Sequence, residues 1–265
     1  MAVSSAADRE LVSIIIPVHN AEKFITDTID CVRAQSCRDW ELLLIEDGST
    51  DRTMDIMTAY LGELKDERIQ LKKREIRSPE ERTFGAARAR NLGISFARGR
   101  YICYLDADDY WRPEKLEREL AFLQKKQAGF VFTGYEFGDE NARGTGKVVH
   151  VPETLSYKQA LANTTIFTST VLIDTQKIEK SLIEMPYIKS EDTASWWKIL
   201  KTGVTAYGLD ENLVVYRRAG KSLSSNKVEA LRRIWNLYRQ AAGLSVFASA
   251  CHFVPWAFRA VKRRI

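Results

Sequence analysis

Through Tyr135, short apolar runs alternate with longer stretches whose apolar positions recur every three or four residues. Leu11 to Pro17, broken only by Ser13, is rich in β-branched residues, as in a strand buried on both faces of a parallel sheet. Asn20 opens a helix, and from Ala21 to Ala34 the residues Phe24, Ile25, Ile29 and Val32 fall at helical spacing. A second run, Leu42 to Ile45, ends in Glu46-Asp47-Gly48-Ser49, and a helix follows from Asp51. Arg68 to Lys72 predicts a third strand. Glu75 to Arg82, charged and interrupted by Pro79, predicts a loop beside the strand ends. Phe84 to Ala97 reads as helix, Tyr101 to Leu105 as strand, Pro113 to Gln127 as helix and Phe130 to Tyr135 as strand. This alternation predicts an α/β fold with a mostly parallel, doubly wound sheet.

Gly138 to Gly146 is glycine-rich and polar, which marks a turn and a boundary. Beyond it, strands are expected near residues 146–151, 168–173 and 212–217, and helices near 157–163, 175–181 and 192–201. The expected organisation is a main domain at 11–222, with halves at 11–137 and 138–222, followed by a helical tail at 223–265.

With 265 residues, 45% hydrophobic and 28% charged, the chain has material for one such domain and an appendage. Its cysteines, Cys31, Cys37, Cys103 and Cys251, show no paired short spacing, which argues against a zinc site and for a reducing compartment. Met1 to Glu10 has no apolar core, so no secretory leader is expected and the protein is placed in the cytoplasm. The net charge of +5 is uneven: Arg232, Arg233 and Arg239 are followed by Arg259, Lys262, Arg263 and Arg264. No nucleic-acid motif accompanies these cations and the residues between them are apolar, so the inner face of the cell membrane is the expected anionic neighbour, not nucleic acid. Leu231, Ile234, Trp235 and Tyr238 alternate with the arginines as on an amphipathic helix. Between Arg239 and Arg259, polar residues and Pro255 argue against a membrane span. An interfacial element with Trp256 and Phe258 at the lipid boundary is expected, against the alternative of a helix packed on the main domain or a partner.

The strand Tyr101 to Leu105 closes on Asp106-Ala107-Asp108-Asp109. Ligands of open α/β sheets sit beyond the carboxyl ends of the strands, and carboxylate oxygens suit Mn²⁺ or Mg²⁺ bridging a diphosphate. Alone, this motif is more often a solvated turn, and Asp47-Gly48-Ser49 has the same bland reading as a helix cap. With Pro17-Val18-His19-Asn20, however, three strand ends bring acceptors and carboxylates to one sheet edge, which suits a nucleotide.

Ser13-Ile14-Ile15-Ile16-Pro17-Val18-His19-Asn20, Glu46-Asp47-Gly48-Ser49-Thr50-Asp51, Ala87-Arg88-Ala89-Arg90-Asn91-Leu92-Gly93 and Leu105-Asp106-Ala107-Asp108-Asp109 resemble, in order and spacing, the signature series of family 2 glycosyltransferases of the GT-A fold. The resemblance implies inverting transfer of a sugar from a nucleotide donor, usually a UDP-sugar, to an acceptor hydroxyl. Carried over by position, Pro17, His19 and Asn20 line the nucleoside pocket, Asp47 beside Glu46 accepts from uracil, and Arg90 and Asn91 lie near the base and donor. Asp106, next to Ala107, reaches ribose or donor sugar, and Asp108 ligates Mn²⁺ or Mg²⁺. Ser190-Glu191-Asp192 matches the family's Glu-Asp motif, which makes Asp192 the base for the acceptor proton and Glu191 its acceptor-side neighbour. The plain alternative is a helix cap with acidic first-turn residues. Trp196 is expected as an acceptor-side stacking surface, with at least one of Trp196 and Trp197 in the core. Thr193-Ala194-Ser195-Trp196-Trp197-Lys198 stands where processive synthases carry Gln-x-x-Arg-Trp, so one sugar per acceptor is expected.

Two positions depart from the pattern. Glu46 replaces an aspartate, and Ala219 stands where a metal-binding histidine often follows Val215-Tyr216-Arg217-Arg218. Arg217, ahead of Arg218 and Lys221, becomes the expected diphosphate contact. Gly220-Lys221-Ser222 lacks the leading glycine and strand of a P-loop, and no Gly-x-Gly-x-x-Gly follows a strand, which disfavours a dinucleotide oxidoreductase. The expected acceptor is a lipid-linked or growing surface glycan. The competing reading is a subunit that binds nucleotide-sugar without catalysis and pairs with an active transferase; intact Asp108 and Asp192 weigh against it.

Overall fold

The computed structural model describes residues 10–217 and 227–262. The first half runs β1 (Val12–Val18), α1 (Ile25–Arg33), β2 (Trp40–Glu46), α2 (Thr53–Leu64), β3 (Ile69–Lys73), a short α3 (Pro79–Arg82), α4 (Gly85–Phe96) and β4 (Tyr101–Tyr104). There follow β5 (Tyr110–Trp111), α5 (Lys115–Lys126), β6 (Phe130–Gly138), β7 (Gly144–Val149), β8 (Thr154–Leu155), α6 (Tyr157–Leu161) and β9 (Val171–Asp174). The chain then continues through α7 (Lys180–Ile183), α8 (Glu191–Lys201), β10 (Ala206–Arg217), α9 (Lys227–Asn236) and α10 (Val246–Lys262).

One sheet runs through both halves in the order β3-β2-β1-β4-β9-β6-β10-β5, with β7 beside β6 and β8 beside β10. The first four strands are mutually parallel, as the βα alternation predicts. In the second half β6 and β10 are parallel, but β9 lies between β4 and β6 antiparallel to both. The β6–β7 hairpin turns over residues 139–143, because so short a connection can join only antiparallel strands.

Side-chain alternation sorts the core into two layers. Ile14 and Ile16 of β1, with Leu42 and Leu44 of β2, pack on α1, α2 and α5. Ile15, Leu43 and Ile45 face the layer formed by α4, α8 and the C-terminal helices. Gly93 lets α4 lie close on the sheet, since a Cβ there would overlap the Ile15 side chain.

The C-terminal helices belong to this second layer. The Tyr238 ring stacks on Trp197 at 5.4 Å, and its hydroxyl donates to Leu161 O at 2.6 Å. Trp256 is buried and donates to Thr164 Oγ1 at 2.9 Å, which corrects the expectation that its indole marks a lipid boundary. The helix expected at 175–181 is a turn on Asp174 followed by α7, and α9 passes into one π-helical turn, Leu237–Ala241. Among the described residues, no helix is long and apolar enough to cross a membrane. Arg218, Ala219, the Gly220-Lys221-Ser222 stretch, Arg263 and Arg264 lie outside the described residues.

Candidate active site

β1 and β2 are in register from Val12 opposite Trp40 to Val18 opposite Glu46, and β4 pairs with β1 on its other side, so their carboxyl ends open together. A cavity of about 360 Å³ lies there. Its walls are Pro17 and Val18 at the end of β1, His19, Asn20, Ala21 and Phe24 after it, Asp47 after β2, Ala86 and Arg90 on α4, and Asp106, Ala107 and Asp108 after β4. All three strand ends singled out in the sequence therefore meet at one concave site.

Most polar groups on the β1 and β2 loops brace one another. Glu46 Oε1 accepts from Ser49 N at 2.6 Å, so this carboxylate holds the turn and is no free ligand contact. Asn20, at φ 51°, accepts from Thr50 N at 2.8 Å through Oδ1. His19 Nδ1 lies 3.0 Å from Asp47 O. Asp47 itself forms an ion pair with Arg74, a residue the sequence reading missed. Arg74 directly follows β3, and its Nη2 donates to Glu81 O at 2.9 Å. Burial pushes the Asp47 carboxyl above its ordinary range, against the opposing pull of Arg74. Gly85 packs closely beside it: a Cβ there would overlap the Asp47 carboxylate and force it to shift.

The strand-end cavity and the start of α8 are joined by α4. Arg90 is buried and donates through Nη2 to Asp106 Oδ1 at 2.6 Å and through Nη1 to Glu191 Oε1 at 2.9 Å. Burial opposes its charge, but Asp106 and Glu191 outweigh burial and its pKa rises. Burial likewise raises the Glu191 carboxyl, with Arg90 pulling the other way. The neighbouring Asn91 does not reach the cavity expected for it. Its amide donates to Met185 O at 2.8 Å and accepts from Met185 N at 2.7 Å, which pins the segment leading into α8.

Ser190, at φ 59°, starts α8, and Asp192 sits on its first turn. Asp192 Oδ2 accepts from Thr168 Oγ1 at 3.2 Å, and Oδ1 accepts from Thr193 N at 2.6 Å. Thr168 is a second partner that sequence reasoning missed. Trp196 lies in the core between the rings of Tyr104 and Phe130, at 6.1 and 5.4 Å, so the expected stacking surface is corrected: its position on α8 faces the sheet. A smaller cleft of about 210 Å³ opens on this side, lined by Phe84, Ile188, Lys189, Arg233, Asn236, Leu237 and Gln240.

Asp108 is open to solvent along the cavity, while the protein packed around its other sides, and then the Asp106 charge, push its carboxyl up to about 6. Asp109 is wholly buried and accepts from Ser169 Oγ at 2.6 Å and Arg217 N at 3.3 Å, a structural role. Among the described residues no group of three His, Cys, Asp or Glu could hold a metal unaided. A single open carboxylate does fit Mn²⁺ or Mg²⁺, which take one or two protein oxygens and fill their other positions with phosphate and water. The Arg217 guanidinium is buried 4.8 Å over the Phe24 ring and 3.5 Å from Asp27 Oδ2, and among the described residues none of its nitrogens has a hydrogen-bond partner.

Residues 13–180 match the model of glycosyl transferase family 2. The putative teichuronic acid biosynthesis glycosyltransferase TuaG of Bacillus subtilis is 41% identical over 97% of this chain and 98% of its own length. The Escherichia coli UDP-Glc:α-D-GlcNAc-diphosphoundecaprenol β-1,3-glucosyltransferase WfgD is 35% identical over 87% of this chain and 86% of its own. Among solved structures, S. aureus TarS 1–349 with UDP-GlcNAc superposes with a TM-score of 0.65 at 20% identity, covering 93% of this chain and 71% of that one. The mannosyltransferase PcManGT of Pyrobaculum calidifontis, with GDP-Man and Mn²⁺, gives 0.67 at 18% identity, over 89% of this chain and 65% of that one. These two likenesses place the fold among GT-A glycosyltransferases.

Proposed function

The chain belongs to glycosyl transferase family 2, and from that premise we propose that it transfers one sugar from a UDP-sugar, with inversion, to a hydroxyl of a lipid-linked or growing cell-surface glycan. The observation that carries this reading is the Arg90 bridge. It couples Asp106, on the donor strand end, to Glu191, the immediate neighbour of Asp192. Asp106 and the residue next to the candidate base thus belong to one hydrogen-bonded unit.

In this reading the nucleoside lies against Pro17, His19 and Asn20, with Asp47 accepting from the uracil N–H while Arg74 holds its carboxylate in place. Asp106, oriented by Arg90, meets the ribose or donor sugar. Asp108 would hold Mn²⁺ or Mg²⁺ together with the donor phosphates; when bound, the ion supplies positive charge against the leaving diphosphate. The guanidinium of Arg217, over the Phe24 ring, supplies a second positive charge close to the same wall of the cavity. Asp192 takes the acceptor proton as the hydroxyl attacks the anomeric carbon from the side opposite UDP. Thr168 fixes the carboxylate, and Glu191 stays bound to Arg90. The acceptor approaches past Ile188 and Lys189, through the smaller cleft.

The relatives' names support this substrate class: one refers to teichuronic acid biosynthesis and another to a diphosphoundecaprenol-linked sugar. An acceptor of that kind puts the enzyme at the cytoplasmic face of the membrane. Incubating the purified protein with a panel of UDP-sugars, Mn²⁺ and a GlcNAc-diphospholipid acceptor tests the reading. One donor should give a product a single sugar longer, and EDTA should suppress it. UDP binding with no product from any donor would favour a nucleotide-sugar-binding subunit without catalysis.

A further inference from the structure

α10 has two unlike faces. Ser249 and Trp256 are buried against the main domain, and Arg259 on its flank donates to Ala162 O at 3.1 Å, so the helix is fastened in place. On the opposite side Phe247, Cys251, Val254 and Phe258 follow one another at helical intervals and fall within about 60° of arc. Phe247, Val254 and Phe258 are 81%, 69% and 74% exposed, with Val246 at 61% beside them. No other large hydrophobic residue among those described is even half exposed. The ridge is about 16 Å long, and an apolar surface concentrated in this way marks a contact site.

The surrounding charge identifies the occupant. After Glu229 the chain contains no Asp or Glu, while Arg232, Arg233, Arg239, Arg259, Lys262, Arg263 and Arg264 follow. Arg232, Arg239 and Arg259 are exposed. A second copy would meet this ridge with like charge, whereas a layer of anionic headgroups over acyl chains complements both its cations and its phenyl rings.

We propose that the Phe247–Val254–Phe258 face of α10 seats the protein on an anionic bilayer, with these side chains at the acyl boundary and the arginines among the headgroups. Of the lipid contact that the sequence assigns to Trp256 and Phe258, Phe258 keeps its part, and that of Trp256 passes to residues on the other side of the same helix. The surface needs neither donor nor acceptor, so it stands or falls independently of sugar transfer.

Co-sedimentation of the full chain with phosphatidylcholine vesicles, with and without phosphatidylglycerol, tests it. Binding is expected only where phosphatidylglycerol is present and should weaken with added salt. The double variant Phe247→Ser/Phe258→Ser should bind about tenfold or more weakly, with unaltered thermal unfolding. Val254→Asp, at a largely exposed position, provides the same test should the double variant fail to fold. No binding to phosphatidylglycerol vesicles overturns the proposal, as does binding that neither variant reduces. A concentration-dependent dimer, abolished by Val254→Asp in a protein that ignores vesicles, overturns it in favour of a second copy.

Discussion

On the proposed donor side of the cavity, β1, β2 and β4 end together because they are buried, parallel and in register, so that each motif is placed by the strand just before it. On the proposed acceptor side, Glu191 and Asp192 open a helix that follows an irregular segment, and residues distant in sequence hold this region: Arg90 bonds Glu191, Thr168 bonds Asp192 and Asn91 bonds Met185 just upstream. The donor side is a rigid edge built locally. The acceptor side is hung from that edge by α4. In the proposed mechanism, a site divided in this way would let acceptor recognition change through residues 184–190 while the nucleotide pocket stays fixed. It also concentrates the coupling between the two sides in one guanidinium.

The sharpest way to separate the two sides is Asp192→Asn. Transfer should fall about 10²–10⁴-fold, while UDP affinity measured by calorimetry stays that of the wild type. Arg90→Met should break the comparison by damaging both sides at once. It leaves Asp106 and Glu191 without their cation, and denaturant unfolding should show a loss of about 3–5 kcal/mol, with weaker UDP binding and slower transfer together. Asn91→Ala strips the Met185 backbone of two partners. A smaller loss of about 1–3 kcal/mol is expected, with a lower turnover rate and unchanged UDP affinity, since only the acceptor side loosens. Arg74→Met acts on the donor side alone and should weaken UDP binding about tenfold, the loss of one charge-assisted contact, with little effect on turnover at saturating donor.

Arg74→Met also has a pH signature. Burial already holds Asp47 above its ordinary value of 3.8, and without the guanidinium it should rise further. A carboxyl whose folded pKa is raised favours the folded state when protonated. The variant's stability deficit should therefore grow as pH climbs from about 4 towards the folded pKa and level off above it.

The same division explains what was legible in the sequence. Pro17, His19, Asp47, Asp106 and Asp108 could be read because each stands directly after an apolar run, and the strand period fixes where such residues emerge. Arg74 could not, since its role depends on β3 lying beside β2 and on a side chain that reaches across to Asp47. The insertion of β9 between β4 and β6 is likewise a pairing between distant segments that no local pattern encodes. Trp196 was placed on the acceptor side because spacing alone cannot tell which face of α8 meets the sheet; Tyr104 and Phe130 decide it. Asn91 lies off the cavity for a related reason: its neighbour Arg90 lines the cavity, but one step along a helix turns the side chain by about 100°, away from the cavity and onto Met185.

The most direct test of in-line attack by an Asp192-activated hydroxyl is the stereochemistry and length of the product. The UDP-sugar selected by the transfer assay should be supplied as its α-anomer, with proton NMR following the anomeric signal of the product as it forms. A β-linked product exactly one residue longer than the acceptor is the result expected of inverting, single-sugar transfer. An α-linked product, or a ladder of longer chains, would contradict it.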